Sequence, residues 1–208
     1  MLTSFLKSGV LKVGFRFLRT AIFPRITEII FTQETLLSIT IGIAAFFASS
    51  RVFAHAAKLS DLTIGFVGYA AIALGFCVAG ITIALTLPDR DFMQRLATLR
   101  IPEKEGDALA SLLFVFVWTA FVHWCSIAIA LIFLLLFGHI EATDLVDKGR
   151  LPRILLGAGA SIAAYTLLQF LITTLTLWQV GSLYIDKLKK DASEDAEKAA
   201  KAKLPSAP

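Results

Sequence analysis

Thirty consecutive residues, Ala108 to Phe137 (ALASLLFVFVWTAFVHWCSIAIALIFLLLF), carry no charged side chain. As a helix rising 1.5 Å per residue, the run is about 45 Å long, more than the roughly 30 Å hydrocarbon core of a bilayer. A helix in a soluble core has no use for unbroken apolar surface of that length. The stretch reads as a transmembrane helix. Composition agrees: hydrophobic residues make up 57% of the chain and charged residues 17%, against about 25% charged in ordinary soluble domains.

The same criterion picks out three more apolar runs. The expected spans are about 35–54, 62–87, 108–137 and 153–185. The expected fold is an all-α integral membrane protein of four transmembrane helices, arranged as two helical hairpins. Two segments flank a transmembrane domain of residues 26–185, and a third lies within it. Residues 1–25 form a basic amphipathic helix, with Lys7, Lys12, Arg16 and Arg19 on a polar stripe and no acid among them. A helix lying on an anionic membrane surface accounts for this pattern, and a cleaved organellar transit peptide has a similar one. Residues 89–100 predict a short cytoplasmic interfacial helix, with Phe92, Leu96 and Leu99 on one face. Residues 186–208 form a charged cytoplasmic tail, expected to stay helical for a few turns and then fray, because it has little to bury.

Orientation follows from Lys and Arg counts. The N-terminal arm holds five, the middle loop four and the tail six; the two hairpin links hold two and three, accounting for all 20. Both termini are therefore expected in the cytoplasm, in a multi-pass protein of the cell inner membrane.

Two seams are expected inside the bundle. Ser38, Gly42, Ala45 and Ser49 make a small-residue stripe on the first span, and Gly68, Ala71, Gly75 and Ala79 make another on the second. Counting outward from the link near residue 58 brings them to equal depth, as close helix packing in lipid requires. For the second hairpin, counting outward from residue 146 sets Thr119 opposite Thr173 and His123 opposite Gln169. Ser126 then falls beside Thr166 and Tyr165. This predicts a polar seam of Thr119, His123, Ser126, Tyr165, Gln169 and Thr173.

His123 carries three alternatives. Interhelical glue is the plainest, because polar groups in hydrocarbon need partners. A proton or ion path is the second, since an intramembrane histidine is titratable. Metal or haem ligation is the third, and one intramembrane histidine per chain supplies a bis-histidine site only between subunits. Cys77 and Cys125 are about 10 Å apart in depth, too far for a disulfide, and read as apolar packers. No nucleophile–base pair, phosphate loop, HExxH or CxxC stands in the chain.

The expected function is non-catalytic, with no cofactor and no metal. The chain is expected to act as an oligomeric scaffold, sensor or accessory subunit through its cytoplasmic face. Its partners would be the lipid bilayer, further copies of itself or a membrane complex, and cytosolic protein, with no nucleic acid. A small ion channel or proton-coupled transporter using the seam around His123 and Gln169 is the alternative.

Overall fold

A computed structural model describes residue 19 and residues 32–52, 59–86, 90–98, 108–138 and 149–202. Among the described residues every regular element is a helix. In chain order these are α1 (Gln33–Val52), α2 (Leu59–Thr86), α3 (Arg90–Thr98), α4 (Ala108–Phe137) and α5 (Arg150–Ala202). Three helices are long and apolar enough to cross a membrane, over Ser60–Thr86, Ala108–Phe137 and Arg153–Lys198; the apolar part of α1, Gln33–Ala48, is shorter. Of the N-terminal arm only Arg19 is described, and it is exposed. Lys7, Lys12 and Arg16 lie outside the described residues.

Local chemistry sets the helix ends. Thr32 Oγ1 accepts the Thr35 N–H at 3.3 Å, an N-cap that starts α1 two residues before the apolar run. Gly149 has φ +123°, a conformation that L side chains avoid, and it turns the chain into α5. Pro152 then sits in the first turn of α5, where a missing N–H costs nothing. At the other end α5 continues to Ala202, more than four turns past Ile185. Alanine-rich sequence and the pairs Lys187–Asp191, Lys190–Glu194 and Lys198–Asp195, at 4.0, 3.9 and 3.9 Å, favour helix by a few tenths of a kcal/mol each.

The chain divides into two compact units: Met1–Ile72 with Val122–Gln169, and Ala73–Phe121 with Phe170–Pro208. In the first unit α1 packs against α5. A Cβ on Gly42 would land on the Ser161 hydroxyl and 2.7 Å from the Gly157 carbonyl oxygen. A Cβ on Gly157 would meet the Gly42 carbonyl oxygen at 2.9 Å and Phe46 Cβ at 3.1 Å. The two backbones touch through small residues, which is how helices associate without a hydrophobic driving force.

The second unit has a core of Cys77, Ala84, Leu112 and Phe116, flanked by Ile81, Ala120, Leu177 and Val180. The Phe116 ring occupies the place where a side chain at Gly80 would start. Phe92 of α3 is buried, its ring 5.2 Å from that of Tyr184 and edge-on to it.

The expected small-residue hairpin between the first two spans is not formed. Gly68, Ala71, Gly75 and Ala79 are all exposed, and a Cβ on Gly68 or Gly75 would meet nothing within 4 Å. The stripe of α2 that is buried is Thr63, Ala70, Ala73, Cys77, Gly80 and Ala84. It is also small and also helically spaced, so two stripes competed in the sequence. Gly42 is the close-packing residue expected, but its partners come from α5.

Outward faces are apolar. Phe47, Ile72, Leu135 and Trp178 are 77, 74, 83 and 70% exposed. In water such exposure would be a liability; against acyl chains it is an ordinary lipid contact. Trp124, also exposed, belongs with them.

Candidate functional site: a buried histidine–tyrosine pair

Lipid offers polar groups no partners, so each polar side chain of a span must find one inside the protein. Among the described residues, the fully buried polar ones are Thr119, His123, Thr166 and Thr173, at 0% exposure. They divide between the two units.

In the second unit Thr119 Oγ1 and Thr173 Oγ1 are 2.7 Å apart. Equal-depth counting set these two residues opposite each other, and the hydroxyls do meet. The neighbouring Thr174 and Thr176 donate instead to carbonyls of their own helix, Phe170 O at 2.9 Å and Ile172 O at 2.8 Å. Ser111 is buried, and its hydroxyl has no partner among the described residues; its i−4 neighbour, Asp107, lies outside them.

In the first unit His123 meets Tyr69. Tyr69 Oη lies 3.3 Å from His123 Nε2 and donates to the Thr166 carbonyl oxygen at 3.2 Å. The ring centroids are 5.8 Å apart at 57°. One helix supplies each member: α2 the phenol, α4 the imidazole and α5 the carbonyl.

Proton counting assigns the tautomer. A phenol has one proton, and a carbonyl can only accept. With that proton on Thr166 O, the contact to Nε2 is a hydrogen bond only when Nε2 carries hydrogen. Placing the phenol proton on Nε2 instead would set two oxygen lone pairs facing each other at 3.2 Å. The arrangement that satisfies both contacts is Nε2–H donating to Tyr69, with Nδ1 left as the acceptor.

The other expected seam residues are placed as follows. Ser126 is buried and donates to its own helix at Val122 O, 2.8 Å away. Tyr165 is half-buried and Gln169 buried, both in the first unit. Nε2 is committed to Tyr69, so any further polar partner of His123 has to reach Nδ1. Thr166, expected beside Ser126, contributes its backbone oxygen to Tyr69 and its hydroxyl to Ala163 O at 2.8 Å.

Tyr69 is the member that sequence reasoning missed. A signal was present: a phenol in the middle of an apolar span needs a partner for its O–H. The glycine stripe of α2 predicts contact with α1, and that packing gives Tyr69 no partner. Among the described residues no three His, Cys, Asp or Glu side chains gather into a metal-binding group. Comparison with known proteins finds no matching family model, no similar curated protein and no similar solved structure.

Proposed function

We propose that the chain is a non-catalytic, four-span inner-membrane protein that works by assembly, with itself or with a membrane or cytosolic partner. α1 is the fourth span, since twenty helical residues reach about 30 Å. Both termini are cytoplasmic, on the Lys and Arg count. The observation that carries this reading is the internal pairing of the spans' polar groups: Thr119 with Thr173, and His123 with Tyr69 and the Thr166 carbonyl. Such groups hold helices together, and they leave the cytoplasmic segments as the surfaces free to recognise a partner. α3 and the charged end of α5 are those surfaces. Light scattering of the detergent-solubilised protein tests self-assembly. A mass of two or more chains is expected. A strictly monomeric mass, with no partner recovered by in-cell crosslinking through the tail, would overturn the scaffold reading.

A second reading, a proton-coupled channel or transporter, is favoured by one observation. His123, a residue of titratable type, is fully buried in α4, where Tyr69 meets it at Nε2. Proton flux in liposomes separates the two readings.

A further inference from the structure

In the second unit one face of α5 is packed along its length. Thr173, Leu177, Val180, Tyr184 and Lys187 recur at spacings of four, three, four and three, so they share a side of the helix. Their neighbours change in order. The Thr173 hydroxyl meets Thr119 of α4. Leu177 and Val180 pack against the core of Cys77, Ala84, Leu112 and Phe116, and Tyr184 meets Phe92 of α3. Lys187, one turn further, has a side chain only 10% exposed, 4.0 Å from Asp191. The packed face therefore reaches Lys187, beyond the expected end of the span at residue 185, and α3 meets it at that exit.

α3 is nine residues long, below the roughly 12–15 residues that an isolated helix needs in water. Its helical state depends on what it packs against. Among its described side chains Phe92 is the buried one, at 6% exposure. Met93 and Leu96 are half-buried, and Asp91, Gln94, Ala97 and Thr98 are exposed. Protein alone covers Phe92. A ring already covered by protein has no face left to insert among lipid headgroups. The expected helix resting on the membrane surface gives way to one docked on α5.

We propose that α3 is a releasable clip. Phe92 seated against Tyr184 fastens the connection between α2 and α4 to the point where α5 leaves the span. Loss of that contact unfolds α3 without opening the spans, because a short element with one buried anchor belongs to the least stable part of a fold. With the clip closed, α3 and the charged end of α5, the recognising surfaces of the scaffold reading, act as one. A partner that grips either then acts on both, and this use of the clip rests on that reading.

The experiment is hydrogen–deuterium exchange of the full chain in nanodiscs of phosphatidylcholine and of phosphatidylglycerol. In the wild type residues 90–98 should be protected in both lipids and should exchange before α4 does. Phe92→Ala and Tyr184→Ala should each speed that exchange about tenfold, the order that an aromatic pair supplies. Both should leave α4 at its wild-type rate, which reports that the bundle has folded, and either carries the test should the other not fold. Tyr184→Phe keeps the ring and should change nothing. Protection of residues 90–98 that persists in Tyr184→Ala in either lipid would overturn the clip; in phosphatidylglycerol alone it would assign α3 to the membrane surface. Exchange of α3 only together with α4 would overturn it as well. A strictly monomeric mass beside a clip that responds as expected would overturn the scaffold reading and not the clip.

Discussion

The phenol of Tyr69 and the imidazole of His123 lie on different helices, 3.3 Å apart at Oη and Nε2, and the phenol's proton is directed to a third helix at Thr166 O. One side chain thus joins α2, α4 and α5 in the midst of three apolar helices. Tyr69→Phe should leave Nε2–H without its acceptor and cost about 1–3 kcal/mol in detergent unfolding. His123→Ala leaves Tyr69 still bonded to Thr166, so in the Tyr69→Phe background it should cost less than in the wild type. Equal cost in both backgrounds would show that the two residues do not interact.

The threonine pair should respond differently. A threonine that loses its partner can turn its hydroxyl to a carbonyl of its own helix, as Thr174 and Thr176 already do. Thr119→Val or Thr173→Val should therefore cost less than about 1 kcal/mol, near the average for interhelical hydrogen bonds in membranes. A loss as large as that of Tyr69→Phe would show that the fallback is blocked.

Helix contact in the first unit depends on Gly42. Gly42→Leu should drive a side chain into Ser161 and the Gly157 carbonyl and cost about 1–3 kcal/mol by overpacking. Gly68→Leu and Gly75→Leu face open space and should be tolerated. Thermal unfolding of the three variants orders them, and equal tolerance at Gly42 would contradict the α1–α5 contact.

Topology supplies a fourth expectation. Cysteines placed in residues 90–98 and 186–202 should react only with membrane-permeant reagents in intact cells, and cysteines in the link around residue 58 should react with impermeant ones. Labelling of the tail from outside would reverse the orientation.

How far the fold was legible depended on which quantity the sequence encodes. α4 has the limits that its uncharged run defines, Ala108–Phe137. Depth was also legible: counting from a link brought Thr119 to Thr173. Rotation and neighbour choice were not. α2 carries two small-residue stripes, and nothing local distinguishes Gly68–Gly75 from Ala70–Ala73–Cys77; only packing against other helices buries one of them. For the same reason Gly42 was identified as a contact residue while its partner helix was not. The role of Tyr69 depends on α4 and α5 together, a three-body relationship that pairwise counting along the sequence does not contain.

Proton flux measures the central claim, that the polar groups of the spans are consumed in holding the bundle together. The purified protein, reconstituted into liposomes with an internal pH dye and a potassium–valinomycin gradient, should pass protons no faster than empty liposomes, and His123→Ala should change nothing. Reproducible flux above the empty-liposome rate that disappears in His123→Ala would contradict the claim and make the histidine–tyrosine pair part of a conducting path.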